Sequence, residues 1–425
     1  MTVVPVSTTS LFGVSGVAVS YCLTGSGTGK NILVGGVAND NVQNACPTST
    51  SGGVTLSGFG APAVSRTDLT QPNFVGADVP MSATDFSNYI NVHDDNNPVE
   101  FPAVVGAIAI AFNLTDNLDN PVTSSEVNFS DAQLCLIFSG QASNWDDARL
   151  ASAFTLPAAH SIPSAPINVQ YRLDGSGTTF AFSNHLATAC NTTANPLEAS
   201  QTFFTTTAGT TYMVQNFFTG AGGLPNGDGT FTPKWTGFSG DAALADAILW
   251  TNNSIGYVET ANALAIDPSL QLANVDGTSP TANFNSTLEL RLLSIAFNSA
   301  IDPTNNSNGT ATIEALTNSV HPLPTGSNAC IVLVKPSDYA VPGNNVLGFI
   351  NPVGNYPIVA VSYLLGNSVG NGADLANTRT LVTSPYNTSI RSTVTTIGGS
   401  TGLQYLDTTT KSVFSTSQVS GCYGS

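Results

Sequence analysis

Two long apolar segments constrain the fold of this chain more than any other feature. One spans residues 101–112 and the other spans residues 356–364, and polar loops bound both. A strand with so few polar residues is buried on both faces, and twelve residues are more than one small sheet requires. We therefore expect two strands that each pass from one domain into another.

Two such crossings make one domain discontinuous in sequence. Strand-like and helix-like segments alternate along the 425 residues, which indicates an α/β fold with enough chain for two domains. The sequence predicts lobe I from residues 1–105 together with 350–425, and lobe II from residues 106–349. The predicted helices include residues 130–138, 239–250 and 287–297.

Charged side chains are scarce and mostly negative. The chain has 10 Lys and Arg residues against 27 Asp and Glu residues, for a formal net charge of -17. This balance argues against a nucleic-acid partner or an anionic membrane surface. If the protein binds an anion, local hydrogen bonds in a dehydrated site must hold it, because long-range attraction is absent.

The cysteines indicate disulfides and an oxidising compartment. An even count without a C-x-x-C motif, and with only four histidines in the chain, argues against a zinc or iron–sulfur site. Sequential pairing is our preferred arrangement among the fifteen that six cysteines allow. It joins Cys22 to Cys46, Cys135 to Cys190, and Cys330 to Cys422.

The sequence contains no recognisable membrane segment. No basic stretch followed by an apolar one stands at the start, and no run of about 18 apolar residues occurs. We therefore expect a chain that does not span a membrane.

Residues 171–180 (YRLDGSGTTF) are the strongest candidate for a binding site. They follow a short strand-like segment and precede a helix that we expect to begin near Phe180. Glycines let the backbone approach a ligand, and the first N–H groups of a helix are unpaired and lie at its positive end. The pattern predicts a site for an oxyanion.

Three side-chain types strengthen this interpretation. The guanidinium of Arg172 and the hydroxyls of Ser176 and Thr178 can donate to the same anion, and Asp174 would orient Arg172 from two residues away. The alternative is an ordinary helix cap beside a surface turn. The adjacent arginine and aspartate favour a site.

Asp78 supplies the complementary feature. It follows a short apolar strand and precedes a helix predicted to start near Ser82, so its simplest role is a helix cap. Beside an anion, however, a carboxylate accepts a hydrogen bond only from a protonated oxyanion. Asp78 would then admit phosphate and reject sulfate, because an unpaired buried acceptor costs about 1–3 kcal/mol.

A second glycine-rich segment, residues 25–30 (GSGTGK), resembles a phosphate loop only superficially. It lacks the first glycine of that motif and the hydroxyl residue after Lys30. It can still present the hydroxyl and N–H of Ser26 to an anion. Neither glycine segment completes the G-x-G-x-x-G pattern, which argues against a dinucleotide.

Two further motifs carry less weight. Residues 398–402 (GGSTG) match a nucleophile elbow, but the last histidine is His321, so the order required for a hydrolase triad is absent. His93, Asp94 and Asp95 could bind a metal, but adjacent residues cannot readily face one point, so a solvated loop is the better interpretation.

Five segments, taken together and in this order, resemble the phosphate-binding proteins of ABC-type phosphate uptake. The cysteine at 135, the cysteine at 190 and the 25–30 segment are most similar to the DING branch of secreted phosphate binders. The five segments are residues 101–106 (FPAVVG), 134–140 (LCLIFSG), 144–147 (NWDD), 171–180 and 254–259 (SIGYVE).

The resemblance implies a two-lobed periplasmic-binding-protein fold of type II, with two α/β domains, a two-strand hinge and inorganic phosphate in the cleft. It implies no metal and no cofactor. On one lobe it implies contacts from Arg172, Ser176, Gly177 and Thr178, with Asp174 in support. On the other it implies Asp78 and Ser26, with Thr2 and Val3 near the N-terminus and Thr8 or Thr9 as alternatives.

The functional hypothesis is therefore a periplasmic or secreted protein that binds phosphate in preference to sulfate, with an ABC transporter permease as a partner. No general base or metal cluster is evident beside Ser176, so the residues favour a binding protein over an enzyme. Two alternatives stay open. One is a phosphomonoesterase of DING type, and the other is a structural or adhesive surface protein that keeps the fold and self-assembles at the cell surface.

Overall fold

The computed structural model describes the chain in several stretches. They are residues 2–4, 8–17, 19, 21–35, 49–51, 54–56, 72–190, 235–282, 284, 295–302, 312–336, 356–398, 401–408, 411–412 and 414–424.

Ten α-helices and nineteen strands lie within these stretches. The helices are α1 (Leu11–Val14), α2 (Ser26–Val34), α3 (Ala83–Val92), α4 (Asp131–Phe138), α5 (Gly177–Ala189), α6 (Asp241–Trp250), α7 (Thr260–Ile266), α8 (Leu375–Thr383), α9 (Thr388–Arg391) and α10 (Thr416–Gly421). The strands are β1 (Thr2–Val4), β2 (Tyr21–Leu23), β3 (Ser49–Ser51), β4 (Val54–Leu56), β5 (Phe74–Ala77), β6 (Pro98–Asn113), β7 (Asn128–Phe129), β8 (Asn168–Arg172), β9 (Trp235–Phe238), β10 (Ser254–Glu259), β11 (Gln271–Val275), β12 (Ile295–Phe297), β13 (Ser299–Asp302), β14 (Thr312–Ala315), β15 (Val332–Val334), β16 (Val359–Asn367), β17 (Leu403–Tyr405), β18 (Asp407–Thr408) and β19 (Lys411–Ser412).

The central element is β6, which extends through a mixed nine-stranded sheet. Six of its strands are ordered β5-β16-β6-β10-β8-β9, while β11 and β17 also pair with β6, and β7 pairs with β11. The first half of β6 pairs antiparallel with β16, and the second half pairs antiparallel with β10. The change of partner falls between Ala107 and Ile108. Both long apolar segments are therefore strands, as predicted, and they lie side by side. The mixed α/β class is also confirmed.

Burial explains why β6 is so apolar. Its residues are almost all buried, and Phe101, Ile108, Ile110 and Phe112 are each at most 1% exposed. Side chains of this size stabilise a fold by roughly 1.5–3 kcal/mol each when they are removed from water. A strand that carries so many of them must be covered on both faces.

Four hydrogen bonds from other segments hold the backbone of β6 at the point where its partner changes from β16 to β10. Ala107 donates its N–H to the carbonyl of Gly402 at 2.8 Å and accepts from Thr260 Oγ1 at 2.7 Å. Ile108 donates to the carbonyl of Ile358 at 2.9 Å and accepts from Tyr356 Oη at 3.0 Å. The backbone is thus held on both sides where β6 leaves one set of strands for another.

Two predicted helices are confirmed and two expectations are corrected. α4 and α6 match the predicted segments, and Ser130 caps α4 through its side chain. The last three residues of the predicted helix over 287–297 instead form β12, because they pair antiparallel with β15, and the tertiary pairing overrides the local spacing. The rest of that segment lies outside the described residues. Residues 26–30, expected as a loop, are the first turn of α2.

Two of the three expected disulfides are present, Cys135–Cys190 and Cys330–Cys422. Cys22 is also disulfide-bonded, and Cys46, its expected partner, lies outside the described residues. A disulfide that closes a loop of this length typically stabilises a fold by about 2–4 kcal/mol.

Residues 295–302 and 312–336 pack against the region that leads into β6. Ile301 donates its N–H to the carbonyl of Met81 at 3.1 Å, and Glu100 donates to the carbonyl of Cys330 at 2.9 Å. The Cys330–Cys422 disulfide adds a covalent link from this segment to α10. None of the described helices is long and apolar enough to cross a membrane.

Glu100 is a fully buried carboxyl at the start of β6. Its Oε1 accepts the N–H of Met81 at 2.7 Å, and its Oε2 has no hydrogen-bond partner among the described residues. Burial raises the pKa of Glu100 to about 8, although the bond from Met81 and the charge of Lys30 oppose the rise. Lys30 itself pairs with Asp85 at 2.6 Å.

This geometry predicts a pH-dependent gain in stability for Glu100→Gln. The unfolded chain releases the proton of Glu100 near pH 4.5, whereas the folded chain keeps it to about pH 8, so ionisation costs stability as the pH rises between those values. Urea unfolding should show the variant more stable than the native chain at pH 8, by on the order of 1–3 kcal/mol. The difference should shrink toward pH 5, and a constant difference would contradict the assignment.

Candidate functional site

Arg172 stands at the end of β8 with only 4% of its surface exposed. Its backbone N–H donates to Tyr257 Oη at 3.2 Å, and the same hydroxyl lies 2.7 Å from Thr179 Oγ1. The tyrosine thereby connects the end of the strand to the first turn of α5. These contacts fix the backbone of Arg172, from which the guanidinium side chain extends.

Two carboxylates hold the guanidinium. Asp174 accepts from Nε at 2.6 Å and from Nη2 at 2.5 Å, and Asp241 accepts from Nη1 at 2.6 Å. Burial alone would lower the pKa of Arg172, but the bond to Asp174 and the charges of Asp241 and Asp174 raise it. The side chain therefore stays charged at every accessible pH.

Asp174 is kept ionised by its pairing with Arg172, just as Arg172 is kept charged by Asp174. Burial acts to raise its pKa, but the hydrogen bonds and charge of Arg172, with the N–H of Gly240 at 2.9 Å, hold that pKa below its ordinary value. The predicted orienting role of Asp174 corresponds to a direct bidentate contact.

The start of α5 presents the predicted N–H groups. Ser176 is its N-cap, and its Oγ accepts from the N–H of Thr179 at 3.2 Å. Ser176 and Thr178 are 1% and 2% exposed. The helix begins three residues earlier than expected, because the serine cap, rather than the first large apolar residue, sets its start.

The start of α2 lies opposite. Gly27 donates its N–H to the carbonyl of Gly175 at 3.0 Å, and Ser26 Oγ accepts the N–H of Asp78 at 3.0 Å. Gly25 adopts a φ of 76°, and a Cβ there would stand 2.9 Å from Asp174 Oδ2. The two glycine segments found in the sequence are therefore in direct contact.

Asp78 lies between these helix starts, directly after β5. A Cβ on Gly177 would come within 2.5 Å of Asp78 Cβ and within 2.6 Å of Ser26 Oγ. Asp78 Oδ1 accepts from Ser362 Oγ at 2.5 Å. The structure thus brings together Ser26, Asp78 and Gly177, although they are far apart in sequence.

Burial raises the pKa of Asp78 to about 6, and the negative charge of Asp241 contributes to the rise. The bond from Ser362 and the charge of Arg172 lower it in part. Glu259, at the end of β10, is raised to a pKa of about 8 by burial, with the charges of Asp78 and Asp241 adding to the effect. The site is therefore rich in carboxyl groups that resist ionisation.

For the predicted contact residues near the N-terminus, the structure describes only the backbone pairing. Thr2 and Val3 lie in β1, which pairs antiparallel with β2 so that Val3 is opposite Cys22. β2 leads directly into the start of α2, so the register carries β1 toward that region. Thr9, one of the alternatives, accepts at its carbonyl from the N–H of Thr395 at 3.3 Å.

Four contributing residues were not assigned to the site from the sequence: Tyr257, Asp241, Glu259 and Ser362. Asp241 had a recognisable signal, because Gly240-Asp241 repeats the pattern of a strand, a glycine and a helix start. Ser362 lies within the apolar segment that forms β16, and only the pairing of β16 with β5 brings it to Asp78.

One cavity of about 1110 Å³ is lined by the charged side chains of Asp78, Arg172, Asp174, Asp241 and Glu259, together with Ser26, Asn262 and Ser362. Ser176, Gly177 and Thr178, the predicted contacts at the start of α5, do not line this cavity. Among the residues that the structure describes, no group of three His, Cys, Asp or Glu side chains could hold a metal ion. His93, Asp94 and Asp95 form a turn at the end of α3, with positive φ at both aspartates. Within residues 398–402, Gly399 and Ser400 lie outside the described residues.

A family model described as the PBP superfamily domain matches residues 12–323 of the chain. The chain belongs to the PBP superfamily.

Relatives found by sequence similarity support the resemblance to phosphate-binding proteins. An alkaline phosphatase L of Pseudomonas aeruginosa is 26% identical over 272 residues, which are 63% of this chain and 57% of that protein. A phosphate-binding protein PstS of Xylella fastidiosa is 31% identical over 167 residues, or 39% of this chain and 36% of that one. The chain thus spans roughly a third to a little over half of these relatives.

Solved structures extend the similarity of fold to nearly the whole chain. A periplasmic phosphate-binding protein named PfluDING matches with a TM-score of 0.56 and 20% identity, covering 98% of this chain and 97% of that one. A phosphate-binding protein of Stenotrophomonas maltophilia matches with a TM-score of 0.54 and 20% identity, covering 92% and 84%. The two-lobed PBP superfamily fold is confirmed.

The buried pair of Arg172 and Asp174 should matter far more for stability than a similar pair at the surface. We expect Asp174→Asn to lower the free energy of unfolding at pH 7 by on the order of 2–4 kcal/mol, because it leaves a buried guanidinium half-paired. Since the pKa of Asp174 is depressed in the folded chain, this contribution exists above pH 3.8 and is lost as the pH falls further.

The chain contains a matched control for that measurement. Asp147 pairs with Arg149 at the same two-residue spacing and with the same two-oxygen geometry, but the arginine side chain is 49% exposed. Asp147→Asn should change the unfolding free energy by less than about 1 kcal/mol. Equal effects in urea titrations of the two variants would show that burial of Arg172 is not what makes its pair important.

Proposed function

We propose that this protein reversibly binds inorganic phosphate beside Asp78 and Arg172, where the starts of α2 and α5 meet. The observation that carries the proposal is the meeting of one acceptor, Asp78, with a set of donors contributed by distant segments. Relatives named as phosphate-binding proteins support the same ligand. No metal or cofactor takes part in this proposal.

The donors suit a tetrahedral oxyanion. The guanidinium of Arg172 has five N–H groups, of which three are used by Asp174 and Asp241, so that one on each terminal nitrogen is available. Gly177 and Thr178 add N–H groups at a helix start, where negative charge is favoured. The hydroxyls of Ser26 and Ser176 can rotate to donate to the ligand.

Asp78 gives the proposed site its selectivity. At neutral pH phosphate carries at least one proton that it can donate to a carboxylate, whereas sulfate carries none. If sulfate entered, the carboxylate of Asp78 would face an unprotonated oxygen, or it would have to take up a proton first. Either cost falls on sulfate alone, so the site prefers phosphate.

We further propose that binding occurs by closure of two lobes about β6 and β16. Lobe I would comprise residues 1–105 and 350–425, and lobe II residues 106–349, with residues 295–302 and 312–336 packed onto lobe I. The bond from Gly27 to Gly175 would then join the lobes in the closed state. Hinge closure of this kind excludes water and strengthens every hydrogen bond inside.

The setting that fits this function is periplasmic or extracellular. Two described disulfides indicate an oxidising compartment. Because relatives are named PstS, we propose an ABC transporter permease as the partner that receives the phosphate. The formal charge of -17 supports neither nucleic acid nor an anionic membrane as a further partner.

Calorimetry with phosphate and sulfate tests the binding and its selectivity. Phosphate should release heat with the native protein at pH 8 once carried-over ligand has been removed, and sulfate should not. In Asp78→Asn the phosphate-to-sulfate preference should fall by roughly 10- to 100-fold, as expected when a buried acceptor no longer discriminates. If the stripped native protein gives no heat with phosphate, the proposed function is wrong.

The same titrations have a predicted pH dependence. Burial places the pKa of Asp78 near 6, so the native protein should begin to bind sulfate as the pH falls through that value, when Asp78 becomes a donor. Asp78→Asn should bind sulfate with an affinity that does not change across this range. An identical pH profile in the two proteins would remove Asp78 from the site.

Gly177→Ala tests whether the two helix starts must touch. An added methyl would collide with Asp78 and Ser26, so closure should be blocked while α5 itself tolerates alanine at its first position. Small-angle X-ray scattering should show compaction of the native protein on addition of phosphate and little or none in the variant. Phosphate affinity should drop by at least about tenfold.

Gly421→Ala is the matched control for this variant. Gly421 also lies in a helix, at the end of α10, and a Cβ there would meet nothing within 4 Å. This control should compact and bind like the native protein. Normal compaction in Gly177→Ala would show that the close approach is not needed for binding.

A second candidate function is phosphomonoester hydrolysis, which is favoured by the similarity to an alkaline phosphatase L. We expect purified protein to give no turnover of p-nitrophenyl phosphate, because the described site offers no metal cluster beside its hydroxyls. Turnover that disappears in Arg172→Ala and Ser176→Ala would instead establish an enzyme in this cleft. Turnover that survives both changes would come from another site or a contaminant.

A further inference from the structure

Asp241, the second carboxylate that binds Arg172, has no role in the phosphate contacts proposed above. Asp174 already pairs with Nε and Nη2 through both of its oxygens. A two-oxygen pair of this kind balances the single charge of a guanidinium. Asp241 nevertheless adds a third bond, from Nη1, at 2.6 Å. Its negative charge is therefore in excess of what Arg172 requires.

Asp241 is brought to this position by the start of α6. Gly240, with a φ of 88°, donates its N–H to Asp174, and the next residue accepts from Arg172. Consecutive residues of one helix start thus hold both members of the buried pair. The planar guanidinium is fixed along two edges, which determines where its two remaining N–H groups can meet a ligand.

Asp241 also lines the same cavity as Asp78. The titratable and charged groups that face Asp78 come from four elements: Tyr21 of β2, Arg172 of β8, Glu259 of β10 and Asp241 of α6. Burial is the main reason that Asp78 resists ionisation, and Asp241 is the charge that adds to this effect. Arg172 acts in the opposite direction.

We propose that Asp241 is a positioning and specificity residue. It fixes the Nη1 edge of Arg172 and places a second negative charge in the cavity that Asp78 lines, so that it sets the pH above which the cleft refuses an unprotonated oxyanion such as sulfate. This inference rests on the proposed binding of phosphate.

The charge role is tested by Asp241→Asn, with sulfate affinity measured by calorimetry at several pH values. Removing a like charge should move the onset of sulfate binding to lower pH than in the native protein. Asp246→Asn is the matched control, because Asp246 lies on the exposed face of the same helix. It should keep the native profile. If both variants give the native profile, Asp241 does not tune the cleft.

The positioning role is tested by Asp241→Ala, which removes the acceptor for Nη1 altogether. Phosphate affinity should fall by roughly 10- to 100-fold, as expected when one partner of a buried hydrogen-bonded charge pair is truncated. Asp241→Asn keeps an oxygen at this place and should lose much less. Equal losses in the two variants would contradict positioning through the oxygen.

A ligand-free measurement separates this inference from the proposed function. The carboxyl of Asp78 can be titrated by carbon-detected NMR in the native protein and in Asp241→Asn, with unfolding curves to confirm that each is folded. A lower midpoint in the variant supports the inference even if phosphate does not bind. An unchanged midpoint overturns it even if phosphate binds tightly.

Discussion

The buried charge of Arg172 is the constraint on which the rest of the site depends. A guanidinium with 4% exposure is stable only if carboxylates surround it, and here they come from its own turn and from the start of α6. Those partners use its N–H groups in a fixed plane and leave two for a ligand. Electrostatic attraction is largely cancelled in this arrangement. In the proposed phosphate site, recognition therefore comes from the geometry of hydrogen bonds, which agrees with the acidic character of the whole chain.

Glycine makes the opposing half of the site possible. The starts of α2 and α5 approach so closely that Gly177 has no room for a side chain against Asp78 and Ser26. Two helix starts that face each other concentrate unpaired N–H groups in a small volume. Asp78 then introduces an acceptor among the donors. If phosphate binds here as we propose, a site of this composition distinguishes ligands by their protons rather than by their charge.

Local patterns in the sequence were enough to predict much of this arrangement. The 171–180 motif, Asp78 after its strand, the two long apolar strands and two of the disulfides depend on neighbouring residues or on the spacing of one residue type. Ser362 could not be assigned in the same way, and the helix-start pattern at Gly240-Asp241 does not by itself show what Asp241 contacts. Ser362 depends on the register between β16 and β5, and Asp241 on the packing of α6 beside Asp174. β12 was mistaken for a helix because its strand partner lies far along the chain.

The hydrogen bonds around Ala107 have a consequence for how the protein can move. Both backbone groups of this residue are occupied, one by Gly402 and the other by Thr260, and the next residue is tied to Ile358 and Tyr356. A freely flexible linker would let the two halves of the sheet drift in every direction. A strand anchored on both sides at one point allows mainly rotation about that point. If the lobes close as we propose, the path between the open and closed forms is narrow, and the two helix starts return to the same alignment each time they meet.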